Sequence, residues 1–277
     1  MVYKKIFFPI GGGDELEERL YGAFLIAKYF NVNLEVLQSY FQTSKGIADE
    51  FIFPKEIHDS IDDILKNKLE NEKKEFLALV EKVKNDLSIK EDENLKISIK
   101  LKEGIRSSMI ELYSKISDLV IVANPPSGIP TATFEAIVQK TGKSVIMFPR
   151  IMRKFSVDSI LVGWNNSPEA SRALTSSIEL LKVAKRVEII IAKEYIKYDS
   201  LLDDMLEYLK MHGIIATIKI VNTTMIPGET LLSHATNGSF DLIVAGASSH
   251  KGFRELMLGG TTRYLLENAN IPIFLSQ

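Results

Sequence analysis

Lys5-Ile6-Phe7-Phe8-Pro9-Ile10-Gly11-Gly12-Gly13 opens the chain, and Ser159-Ile160-Leu161-Val162-Gly163-Trp164-Asn165-Asn166-Ser167 opens its second half in the same pattern. Each is an apolar run of buried-strand character that ends in a small or polar turn. The correspondence continues downstream. Helical spacing of apolar residues follows in both copies, over Glu15 to Phe30 (Leu20, Ala23, Phe24, Ala27) and over Pro168 to Ala184. Leu34-Glu35-Val36-Leu37 then answers Val187-Glu188-Ile189-Ile190, and Asp118-Leu119-Val120-Ile121-Val122 answers Asp241-Leu242-Ile243-Val244-Ala245. Ser144 to Phe148 and Pro272 to Leu275 close the two units.

A repeat on this scale marks each copy as a structural unit. Ile- and Val-rich strands that are apolar throughout and separated by helices indicate a parallel sheet covered on both faces. The expected class is therefore α/β, with two tandem doubly wound, Rossmann-like domains, each carrying an open, mainly parallel five-stranded sheet flanked by helices. The division expected is 1–150 and 155–277, with the short basic stretch Pro149-Arg150-Ile151-Met152-Arg153-Lys154-Phe155 between them. The copies differ most in the middle. Lys55 to Leu87 reads as a long amphipathic helix with a charged outer face, and a shorter helix is expected near Leu201 to His212. Phe41 to Pro54 has neither period and reads as a loop packed over its own domain, with a lid as the alternative.

The chain has 277 residues, with 45% hydrophobic and 25% charged, the composition of an ordinary globular protein long enough for two cores. Its 34 Lys and Arg nearly balance its 36 Asp and Glu, so no net field favours a nucleic-acid backbone or an anionic membrane. The absence of cysteine excludes disulfides and thiolate metal sites. No apolar run approaches the ~20 residues that span a bilayer, and Met1 to Gly13 reads as a first strand. A cytoplasmic protein is the expectation.

Chemistry in an open parallel sheet collects at the carboxyl ends of the strands, where strand order reverses. The richest such end is Gly246-Ala247-Ser248-Ser249-His250-Lys251-Gly252, which leads through Phe253-Arg254-Glu255-Leu256-Met257-Leu258 to Gly259-Gly260-Thr261-Thr262 and a helix. Glycine permits close backbone approach and positive φ, while free amides at a helix N-terminus attract anions. The threonine hydroxyls could donate to a phosphate oxygen or cap the helix. His250 could contact a ligand or face solvent as a loop residue. Hydrolase and P-loop signatures are absent, and the four histidines have no metal-ligand spacing.

This connection resembles that of the universal stress protein family, which reads Gly, two residues, Gly, nine residues, Gly, then Ser or Thr. Gly246 and Gly259 match the first and third glycines, and the Asp241-Leu242-Ile243-Val244 run and the opening strands are typical of the family. The resemblance implies a stress-response protein binding ATP or a related adenine nucleotide, with Mg, in the second domain. Binding or signalling is implied, with at most slow hydrolysis and no catalytic residue. Ser249 stands where the middle glycine is expected, Gly260 where the hydroxyl is, and Asn165 where an acidic residue is. Thr261 restores the hydroxyl one residue late, and Ala192 matches the position whose backbone faces the base. Asn165 could bind a ribose hydroxyl and Ser167 could follow it into the site, or the two could form an Asx turn and a helix cap. Expected site residues are thus Asn165, Ser167, Ala192, Gly246, Ser249, Gly259, Gly260, Thr261 and Thr262.

The first copy reads Ala123-Asn124-Pro125-Pro126-Ser127-Gly128-Ile129-Pro130-Thr131 at the equivalent turn, with prolines that remove amides and no spaced glycines. It is expected to be structural. A homodimer or intramolecular pairing of domains is the expected assembly. A scaffold without nucleotide, or a small-molecule sensor using the same crevice, are the alternative functions.

Overall fold

The computed structural model describes residues 3–276 apart from 12, 41–54, 130, 197–199, 223–225 and 248–259. The reading of 41–54 as a loop therefore falls outside the described residues. Both halves follow one plan. The first runs β1 (Lys5–Ile10), α1 (Leu16–Phe30), β2 (Asn33–Tyr40), α2 (Lys55–Asp86), β3 (Ile97–Glu103), α3 (Arg106–Tyr113), β4 (Leu119–Ala123), α4 (Ala132–Lys140) and β5 (Val145–Phe148). The second runs β6 (Ser159–Trp164), α5 (Pro168–Ser176), α6 (Ile178–Leu181), β7 (Arg186–Ala192), α7 (Ser200–Met211), β8 (Ala216–Val221), α8 (Pro227–Asn237), β9 (Leu242–Gly246), α9 (Gly260–Asn268) and β10 (Ile273–Ser276).

The α/β class and the parallel, helix-covered strands agree with the sequence reading, and the structure adds how the halves join. All ten strands form one sheet in the order β3-β2-β1-β4-β5-β10-β9-β6-β7-β8. Pairing is parallel within each half and antiparallel at the centre, where Met147, Ile146 and Val145 oppose Ile273, Phe274 and Leu275. Antiparallel union turns the two halves end for end, so their strand carboxyl ends emerge on opposite edges of the sheet. Apolar packing crosses the join on both faces. Phe8, Phe24, Phe148, Phe274 and Ile160 belong to one continuous buried cluster, and Phe7, Phe134, Met147, Ile273 and Leu265 to another.

The repeated Asp before β4 and β9 has the same role twice. Asp118 Oδ2 accepts from the backbone N–H of Lys4 at 2.8 Å and of Lys5 at 2.9 Å, and Asp241 Oδ2 accepts from Ser159 N–H at 2.9 Å. Each carboxylate thus ties the start of its half's first strand to the neighbouring strand. The glutamates of the matched second strands are also equivalent: Glu35 pairs with Lys5 and Lys100, both at 3.0 Å, and Glu188 with His234 at 2.6 Å and Arg186 at 3.2 Å.

The helix read over Pro168 to Ala184 is two helices. At Ser177 the side-chain Oγ donates to Leu174 O at 2.9 Å, and its backbone N–H to Ala173 O at 3.1 Å, closing α5 before α6 begins. Among the described residues, no helix is long and apolar enough to cross a membrane.

The proline-rich turn of the first half braces the two halves together. A 3₁₀ turn, Pro126–Gly128, packs against α9. Gly128 has φ of +69° and lies so close to Glu267 that a Cβ would stand 2.4 Å from its Cα. Beside it, Asn124 Nδ2 donates to Ala269 O at 2.9 Å. Gly128→Ala is therefore expected to lower stability by at least about 2 kcal/mol, since it combines a left-handed backbone with a clash against main chain. Equilibrium urea denaturation of the variant checks this.

Candidate nucleotide crevice of the second half

In the second half, strand order reverses between β9 and β6, and a cavity of about 190 Å³ opens above that point. Its floor is the ends of β6, β7 and β9, represented by Trp164, Ala192 and Gly246, and its rim is built from the first turns of α5, α8 and α9. Three helix N-termini therefore converge on one crevice. Each brings the positive end of its dipole, which favours an anion.

Glycines permit that convergence. A Cβ on Gly246 would meet Ala170 N and Glu169 C, both at 2.6 Å, so only glycine lets the first turn of α5 lie on the end of β9. A Cβ on Gly228 would come 2.9 Å from Thr261 O, so the start of α8 can rest against the start of α9. Gly260 differs. It is exposed, and among the described residues a Cβ there would meet nothing within 4 Å.

Asn165, Ser167, Ala192, Gly246, Gly260, Thr261 and Thr262 all line this one cavity. Ser249 and Gly259, with His250, lie outside the described residues. Two of the lining side chains are already occupied locally: Asn165 Oδ1 accepts from Ser167 N–H at 3.2 Å, and Ser167 Oγ accepts from Ala170 N–H at 3.1 Å as the N-cap of α5. The Asx turn and cap are thus both formed. They hold the turn after β6 in shape, with Asn166 in the left-handed region at φ 60°. In the first turn of α9, Thr262 is buried and Thr261 half-buried at the cavity wall.

Several lining residues were not singled out from sequence. Trp164, the last residue of β6, presents an indole whose Nε1 is buried without a hydrogen-bond partner among the described residues. A buried N–H of this kind is costly unless a ligand or water accepts from it. Tyr195 enters from the turn after β7, and Ile190, Val221 and Leu231 give the crevice an apolar wall. Trp164 did carry a signal, as the only tryptophan of the chain, placed beside the turn residue Asn165. Glu169, also on the wall, is engaged with Arg172 at 2.9 Å.

Residues 184–276 match the model of the universal stress protein family. That span includes Ala192, Gly246 and Gly260 to Thr262, whereas Asn165 and Ser167 precede it. Among solved structures, a universal stress protein from Archaeoglobus fulgidus DSM 4304 is similar over 100% of this chain and 99% of its own, with 17% identity and a TM-score of 0.72. A Pseudomonas aeruginosa UCBPP-PA14 protein assigned by name to the same family matches over 99% of this chain and 93% of its own, at 14% identity and a TM-score of 0.58. A functionally unknown protein of Pseudomonas aeruginosa PAO1 matches over 99% and 92%, at 14% identity and a TM-score of 0.55. No curated protein matches the sequence. The family resemblance read from the sequence is thus borne out in the second half, and the tandem arrangement is shared in fold over the whole chain.

If Gly246 is what lets α5 reach the strand end, adding one methyl must move that helix. Gly246→Ala is expected to cost about 2 kcal/mol, read as a lower midpoint in chemical denaturation, and a midpoint equal to the parent's would contradict the packing role.

Proposed function

We propose that this is a stress-response protein that holds an adenine nucleotide, ATP or a close relative, in the second-half crevice and acts by binding or signalling rather than by fast catalysis. The observation that carries the reading is the convergence of three helix N-termini and the Gly260-Thr261-Thr262 turn on one cavity at the strand reversal. Anionic phosphates suit those N-termini, with Thr261 a half-buried hydroxyl on the wall. The apolar wall of Ile190, Val221 and Leu231, with Ala192 offering main-chain groups at the end of β7, suits the flat face and edge of a base. Asn165 and Ser167 contribute mainly by fixing the turn, since their oxygens are already engaged with backbone N–H groups.

The chemistry implied is retention. Bound Mg would be carried in with the phosphates, because the one carboxylate among the described wall residues, Glu169, is paired with Arg172. A family model covering the matched part of the second half supports the same reading.

A ligand that binds only the native state raises its melting temperature; at a hundredfold excess over Kd the gain is about 2.7 kcal/mol, which for a chain of this size is a shift of several degrees. Millimolar Mg-ATP is therefore expected to raise the midpoint of the parent protein and to leave Gly260→Arg unmoved. That variant adds a long side chain at an exposed position on the cavity lining, where among the described residues a Cβ meets nothing within 4 Å. Absence of a shift in the parent, or an equal shift in the variant, would return the crevice to an apolar small-molecule ligand or to no ligand.

A further inference from the structure

On the opposite edge of the sheet, above the strand reversal between β1 and β4, three arginines from three separate elements meet. Arg106 is the first residue of α3, and its guanidinium lies on Gly11 just past β1: a Cβ there would come 2.2 Å from its Cζ and 2.3 Å from each Nη. Arg19 arrives from α1 and donates through Nη2 to Gly11 O at 3.0 Å and Gly13 O at 3.4 Å. Arg150, just past β5, donates through Nη1 to Asn124 O at 3.2 Å and through Nη2 to Asp14 O at 2.9 Å, and it forms an ion pair with Glu15.

The charges do not balance within the cluster. Glu15 answers Arg150, and Asp14 with Glu15 partly offsets Arg19, but among the described residues Arg106 has no carboxylate partner and its Nε is buried without a hydrogen bond. Burial, followed by the like charges of Arg150 and Arg106, pushes the Arg19 guanidinium down to about 10, still protonated at neutral pH. Burial also holds Arg106 below its ordinary value. The chain as a whole has a net charge of −2, so this is a local positive site and not part of a general basic surface. Part-buried cations of one sign are costly unless an anion completes them. The start of α3 adds to the field, because Ile105 at its N-cap offers no side-chain acceptor.

From this geometry we infer that the arginine cluster at the first-half strand reversal is an anion site for a phosphate group, either free phosphate or the head of a small phosphomonoester, gripped by Arg106 and Arg19 with Arg150 behind them. Arginine forks match two phosphate oxygens at once, which suits them to a turn that cannot use its own amides. Pro125 and Pro126 have removed amides from the neighbouring turn after β4. Side chains thus supply in the first half the donors that backbone supplies in the second.

Isothermal titration with inorganic phosphate and, separately, with glycerol phosphate tests this on the full chain. Binding of either ligand by the parent protein is expected, inorganic phosphate alone or both marking free phosphate, and glycerol phosphate alone marking the monoester. Gly260→Arg, on the other edge, is expected to bind as the parent does, which separates this site from the nucleotide crevice. Arg106→Gln is expected to weaken binding about tenfold, the loss typical of one charged hydrogen-bonding partner. Arg106→Lys, which keeps the charge and loses the fork, should fall between them, and it stands in if the glutamine variant has an altered circular dichroism spectrum. No binding of either ligand at millimolar concentration, binding abolished by Gly260→Arg, or binding unchanged in the Arg106 variants would overturn the proposal.

Discussion

The antiparallel pairing of β5 with β10 is the constraint on which the rest of the molecule depends. It converts two five-stranded parallel units into one ten-stranded sheet and carries both apolar clusters across the join through Ile146, Phe148 and Phe274 on one face and Met147 and Ile273 on the other. It also covers what would otherwise be two apolar edge strands, a standing hazard for edge-to-edge aggregation. Because the halves meet end for end, the carboxyl ends of their strands lie on opposite edges.

Helix α9 lies between those edges. Its first turn, Gly260 to Thr262, is part of the second-half cavity, while Glu267 and Ala269 at its far end meet Gly128 and Asn124 of the first-half turn. The proline-rich turn that gives up amides for ligand binding is therefore used as a brace. Asn124 joins the two roles, since its side chain reaches Ala269 O while its carbonyl accepts from Arg150.

The duplication and the parallel strands were legible because central strands of this sheet are continuous apolar runs, as in Leu119 to Ala123 and Leu242 to Gly246, and the Asp ahead of each is repeated. The outer strands were harder to place. Ile97–Glu103 and Ala216–Val221 alternate apolar with polar residues because each pairs on one side only, so neither shows the buried-strand signal. Of the crevice, the small-residue turns and the Asn165 to Ser167 turn could be read locally, since glycine and capping chemistry act within a few residues. Trp164, Tyr195 and the apolar wall could not, because only the folded sheet brings them to one place. The arginine cluster is the extreme case: Arg19, Arg106 and Arg150 come from α1, α3 and the end of β5, and no local pattern relates them.

The chain's only tryptophan, Trp164, sits in the second half, whereas helical circular dichroism reports on both halves. If the β5–β10 pairing makes one body, urea denaturation followed by Trp164 fluorescence and by far-ultraviolet circular dichroism is expected to give a single transition with coincident midpoints. Two separated transitions, with the fluorescence change confined to one of them, would contradict the account.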